Sequence, residues 1–86
     1  MIRTIARNRR ARIDAIFAGA TECMVHLADP WRRNVRYFRC HPGEALADLK
    51  GSRYAKLRDK GHGLYTVTVD NHIWYDVTSL VKEPTL

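Results

Sequence analysis

The clearest alternation of polar and apolar positions runs from Gly63 to Val81, GLYTVTVDNHIWYDVTSLV. β-Branched and aromatic residues flank Asp70-Asn71, which predicts a β-hairpin. Two registers compete. A two-residue Asp70-Asn71 turn sets Val67 against Trp74 and Tyr65 against Asp76, leaving both faces mixed. A three-residue Asp70-Asn71-His72 loop sets Val69 against Ile73, Val67 against Tyr75 and Tyr65 against Val77. Thr68–Trp74 and Thr66–Asp76 then fall on the reverse. A slip of one residue moves every side chain to the other face, so the register with one clean apolar face is preferred. It asks His72 to take a left-handed backbone.

Upstream, Ile2, Ile5, Ala6, Ile13, Ile16, Phe17 and Ala20 follow helical spacing with a gap at Arg9-Arg10. This predicts a helix over 8–18, extendable back to residue 3, with Gly19 as its stop. Arg3, Arg7, Arg10 and Asp14 share the stripe opposite the apolar one. Residues 22–28 and 35–40 read as strands around the turn chemistry of Asp29-Pro30. Leu27 opposite Val35 and Val25 opposite Tyr37 give this hairpin an apolar face, with Met24 meeting Phe38 on the reverse. Pro42 to Leu49 reads as a short helix with Ala45, Leu46 and Leu49 on one side, ended by Gly51. Ser52 can cap a second helical piece, SRYAKLRDKG, ended by Gly61. The expected fold class is α+β, a single small domain over 1–86. An N-terminal helix precedes an antiparallel, four-stranded sheet of two β-hairpins with a short helical segment between them, and the helices lie on one face. Fraying is expected over 1–7, and 82–86 reads as a tail.

Length and composition agree with one modest core: 86 residues, 45% of them hydrophobic. No apolar run approaches a membrane span, so no membrane partner is expected. The apolar piece Ala15–Ala20 is too short for a secretory signal core, and although the Arg-rich start also suits a mitochondrial presequence, the expected location is cytoplasmic. Cys23 and Cys40 fit no CxxC pattern; they end neighbouring strands, where either a cross-strand bridge or two free thiols can form.

Charge changes the picture most. Fifteen Lys and Arg against nine Asp and Glu give a net charge of +6. The cations fall in three blocks: Arg3 to Arg12, Arg32 to Arg39, and Lys50 to Lys60. Aromatics sit among them, with Trp31 beside Arg32, Tyr37 and Phe38 between Arg36 and Arg39, and Tyr54 beside Arg53. Arginine forks suit phosphates and aromatic rings stack bases, which is what binding of single-stranded nucleic acid requires. The competing reading makes Tyr37 and Phe38 core residues and the arginines a solvated surface. The expected function is a non-enzymatic binding protein for nucleic acid, RNA or single-stranded DNA ahead of duplex. Its candidate binding residues are Arg7, Arg10, Trp31, Arg32, Arg33, Arg36 and Lys56. Trp and Arg also dominate protein–protein hot spots, so an acidic protein surface is the alternative partner, for a module of phage or mobile-element type. Trp74 on an uncovered sheet face would allow a homodimer.

Two resemblances bear on this. Ala6-Arg7 and Arg9-Arg10-Ala11-Arg12 resemble the arginine-rich RNA-binding peptides of phage antiterminators. Leu49-Lys50-Gly51, Lys56-Leu57-Arg58 and Gly63 to Val69 are similar to the sheet half of RelE/ParE-type toxins. That resemblance implies mRNA cleavage, with Lys50 and Arg58 on phosphate and Tyr75 in proton transfer. The matching strand reads Leu64-Tyr65-Thr66-Val67 and lacks the family's motif arginine, and one helix stands in place of the family's helical hairpin. No other catalytic, cofactor or metal site is expected. The four histidines and two cysteines lack finger spacing, no Gly-rich phosphate loop occurs, and Ser52 and Ser79 lack a nucleophile elbow.

Overall fold

The computed structural model describes residues 2–52 and 56–80, and the side chains of 9–52 and 56–80. Helix α1 (Ile2–Ala18) is followed by β1 (Ala20–Leu27), β2 (Arg36–Arg39), α2 (Pro42–Lys50), β3 (Lys56–Gly61), β4 (Leu64–Thr68) and β5 (Ile73–Ser79). The strands form one sheet in the order β2-β1-β5-β4-β3, with every neighbouring pair antiparallel. The fold is α+β, and helix α1 takes the longer of the two extents that the spacing allows.

Both helices pack on one face of the sheet. Ile13, Ile16 and Phe17 of α1 and Ala45 and Leu49 of α2 are buried with Cys23, Tyr65, Val67, Tyr75 and Val77 from the strands. Full burial of a valine such as Val67 or Val77 is worth about 1.5–3 kcal/mol. The Phe17 ring meets the edge of Tyr75 with centroids 6.3 Å apart. The buried Ser79 hydroxyl donates to the carbonyl of Ile16 at 2.7 Å, satisfying an acceptor that the helix end leaves open. In α2, His41 Nδ1 accepts from the amide of Gly43 at 3.1 Å and caps the helix.

The β4–β5 hairpin has the register that its apolar alternation predicts: Tyr65 faces Val77, Thr66 Asp76, Val67 Tyr75 and Thr68 Trp74. One detail of its loop differs. The left-handed backbone expected at His72 is not formed, because the Asp70 carboxylate closes the turn by accepting from the amides of His72 (2.6 Å) and Ile73 (3.0 Å).

The β1–β2 hairpin is shifted by one residue from the expected pairing. Leu27 faces Arg36 rather than Val35, Val25 faces Phe38, and His26 faces Tyr37. The intervening loop sets this register. Asp29 accepts from the amides of Trp31 (3.1 Å) and Arg33 (2.6 Å) and from Asn34 Nδ2 (3.1 Å), with Arg32 and Asn34 at positive φ. Val35 therefore falls outside the strand. Tyr37 and Phe38, read alternatively as core, are 64% and 52% exposed.

The second helical piece expected over 52–61 is also corrected, since Lys56–Gly61 is the edge strand β3 and the sheet has five strands, not four. Among the described residues of this segment Leu57 packs on the core; a charged outer strand of this kind resists edge-to-edge association. Tyr54, on which the helical spacing partly rested, lies outside the described residues. β3 and β4 are joined at His62-Gly63, with φ of 58° and 80°, as a type I′ turn requires. A Cβ on Gly63 would stand 2.7 Å from the carbonyl oxygen of Ser79, so glycine is needed there for packing as well as for its backbone.

Candidate functional site

The reverse face of the sheet carries no helix among the described residues. Strand alternation places Met24 and His26 of β1, Tyr37 and Arg39 of β2, Lys56 and Arg58 of β3, Thr66 and Thr68 of β4, and Trp74 and Asp76 of β5 there. Three of the rings form a row across neighbouring strands. Trp74 and His26 stack with centroids 5.2 Å apart and planes 6° from parallel, and His26 meets Tyr37 at 5.7 Å with a 32° tilt. The Arg32 guanidinium continues the row, its carbon 4.5 Å from the Trp74 ring centre, a cation–π contact worth about 0.5–1 kcal/mol at an exposed site. Arg33 lies 5.5 Å from the Trp31 ring on the same loop.

Beside this row lies a concavity of about 450 Å³ walled by Arg32, Lys56, Arg58 and Lys60, with Thr68, Trp74 and Asp70 also lining it, the Asp70 carboxylate accepting from amides of its own loop. Asp76 sits at its border. Its Oδ1 accepts from the Thr66 hydroxyl at 2.7 Å and lies 4.0 Å from Lys60 Nζ, while its Oδ2 is 3.5 Å from His26 Nδ1. That nitrogen is shielded from solvent and makes no hydrogen bond, so it meets Asp76 at ion-pair distance only. Among the described residues neither Lys56 nor Arg58 is paired with a carboxylate. The arrangement can hold anions against a row of rings.

The candidates read from sequence divide between the two sides of the sheet. Arg32 and Lys56 come together at the concavity, and Trp31 and Arg33 stand on the adjoining loop, Trp31 being 72% exposed. Arg36 shares the parity of Leu27 and Val25, on the helix side. Arg10 is exposed on α1, in the layer behind the sheet, and the side chain of Arg7 lies outside the described residues. His26, Tyr37, Lys60 and Trp74 join the site although none was among the candidate binding residues, and Arg58 joins it, expected only as the phosphate contact that the toxin resemblance implies. The signal for Trp74 was present in the β4–β5 register, whereas Tyr37 was hidden by the one-residue shift.

The residues suggested by the toxin resemblance do not converge. Tyr75 is buried on the helix side, its hydroxyl pushed up by burial and by the nearby Asp48 charge. Arg58 lies on the opposite face, and Lys50 ends α2. Cys23 and Cys40 are free thiols with sulfurs 3.0 Å apart, and burial, with Cys40 alongside, pushes the Cys23 thiol far above its ordinary range. Comparison with protein-family models, with curated proteins and with solved structures found no match to this chain. No helix among the described residues is long and apolar enough to cross a membrane.

Proposed function

We propose that this protein is a non-enzymatic binder of single-stranded nucleic acid, RNA or DNA, and that the reverse face of its sheet is the binding surface. The observation that carries the reading is the row Tyr37–His26–Trp74 edged by Arg32, Lys56 and Arg58. Exposed rings on a sheet offer platforms for unstacked bases, and cations beside them hold the phosphates between. A duplex keeps its bases stacked on one another and cannot use such a row.

Fluorescence anisotropy with labelled single-stranded RNA, single-stranded DNA and duplex DNA across a salt series tests the proposal. Tight binding of a single strand with a steep salt slope is expected, because each phosphate neutralised releases counterions. Weak binding, equal for all three and gone at physiological salt, would reduce the charge to a solvated surface.

One observation favours a second reading. β2 is an edge strand exposed along its whole length, and it presents Arg36, Tyr37, Phe38 and Arg39 close to the exposed Trp31. An acidic protein segment could add to that edge, with main-chain hydrogen bonds supplying affinity and the arginines supplying charge complementarity. Arg36→Glu, on the helix side of that edge, should weaken capture of such a partner while changing single-strand affinity much less than Arg32→Glu with Arg33→Glu.

A further inference from the structure

We infer that the concavity between β3, β4 and the 28–35 loop is a subsite for one phosphorylated nucleobase, with the base on Trp74 and the phosphate on Lys56 and Arg58. The inference rests on the sheet-face reading above and narrows it to a single ligand unit. A volume of about 450 Å³ lies within the range of small-ligand sites, roughly 300–1,000 Å³, and suits one nucleotide rather than an element of a folded partner.

The two walls of the concavity differ in chemistry. On β3, Lys56 and Arg58 are two residues apart on the same face, roughly 6–7 Å along the strand, so both long side chains can reach one phosphate. Among the described residues no carboxylate pairs with either charge, and Asp70, which also lines the concavity, accepts from the amides of His72 and Ile73, so an anion beside Lys56 and Arg58 breaks no ion pair of theirs. Lys60 is already close to Asp76 and contributes less. Thr68, the cross-strand neighbour of Lys56, brings a hydroxyl to the floor between the walls.

The other wall is aromatic and covered. His26, which does not line the concavity, stacks on Trp74, and Arg32, which does line it, lies over the same ring. Asp29 pins the backbone of the 28–35 loop, while the Arg32 side chain is exposed and can turn aside without moving that loop. A base taking the place of the guanidinium on the indole keeps the stacking contact, and the displaced cation remains near the phosphate. Recognition therefore requires both parts of the ligand. A nucleoside lacks the anion, and inorganic phosphate lacks the ring.

The test uses Trp31→Phe protein, in which Trp74 is the remaining tryptophan. Its emission is followed on titration with adenosine 5′-monophosphate, adenosine, inorganic phosphate and a short single-stranded oligoadenylate. Saturable quenching by the monophosphate or by the oligonucleotide is expected, at least about tenfold weaker with adenosine. Inorganic phosphate should compete without quenching. Quenching by the free monophosphate assigns the subsite to a free nucleotide, and quenching by the oligonucleotide alone assigns it to a unit of a strand. Lys56→Ala with Arg58→Ala should weaken the quenching ligand by about tenfold or more, with the melting temperature held, since both residues are exposed. Oligonucleotide binding by anisotropy with no change in Trp74 emission would overturn the subsite and leave the sheet-face reading standing. Equal affinity in the double variant would do the same, and absence of both monophosphate quenching and oligonucleotide binding would remove both.

Discussion

The two faces of the sheet are made by the same five strands, yet they follow different rules. On the helix side, Cys23, Tyr65, Val67, Tyr75, Val77 and Ser79 are buried. One position along each strand, the neighbours turn to Thr66, Thr68, Trp74, Asp76 and His26, all partly exposed. The first set is chosen for volume and apolar area. The second mixes β-formers that tolerate water with half-buried rings that stack on one another. A row of half-buried rings that ends in the exposed Tyr37, with cations beside it, is the kind of feature that calls for a ligand. The difference teaches that adjacent substitutions should separate stability from binding.

The largest separation is expected at the pair Val77 and Thr78. Val77→Asp places an unpaired carboxylate in the core and should cost about 4 kcal/mol or more, enough to unfold a domain of this size. Thr78→Asp should change urea stability by about 1 kcal/mol at most. Comparable losses at both positions would mean that the reverse face is also covered.

Binding should show the opposite preference. Arg32→Glu with Arg33→Glu reverses two charges on the loop beside Trp74 and should lower single-strand affinity by about a hundredfold or more, with the melting temperature nearly unchanged. Arg10→Glu, in the layer behind the sheet, should lower it by only about two- to threefold through the general field. Equal effects would place the nucleic acid elsewhere.

The turn that sets β3 beside β4 offers a smaller test. Gly63→Ala meets both a left-handed backbone and the 2.7 Å approach to Ser79, and should cost on the order of 2 kcal/mol. Gly61→Ala has a positive φ but open space around it, and should cost about half as much in the same denaturant titration.

The covered face also carries a pH effect. The Cys23 thiol is held protonated in the folded chain, chiefly by burial, whereas the unfolded chain ionises in the ordinary thiol range at about 8.5. The unfolded state therefore binds fewer protons above that pH. The contribution is fully present below about pH 8.5 and is lost as pH rises beyond it. The buried Tyr75 hydroxyl, also pushed up, acts in the same direction at higher pH. Urea midpoints taken from pH 7 to 10 should fall, and Cys23→Ala should flatten the first part of the fall. A wild-type midpoint that stays level would contradict the burial of the thiol.

The β4–β5 hairpin was legible because one of its two registers yields a clean apolar face, and burial on one side penalises the alternative. The β1–β2 hairpin was not, since Val35, Tyr37 and Phe38 can supply an apolar pattern in either register. Its pairing is set by the hydrogen bonds of Asp29 inside the loop, which apolar periodicity does not report. That single shift decides whether Tyr37 belongs to the core or to the aromatic row. In β3, Leu57 is the one apolar residue among charges, a pattern that a solvated helix and an edge strand share.

By itself the sequence determined an α+β domain, its N-terminal helix, the Pro42 helix, the C-terminal register and a strongly basic, Arg-rich surface. Each follows from local propensity or from an apolar alternation with one acceptable solution. Only the tertiary structure decided which cations stand together. Arg32 and Lys56 are distant in sequence and meet because β3 pairs with β4 and the Asp29 loop leans over β5. Arg10, equally basic, is carried to the other side by the burial of Ile13 and Phe17. Charge is a property of composition, but a site requires charges to share a face, and packing assigns the faces.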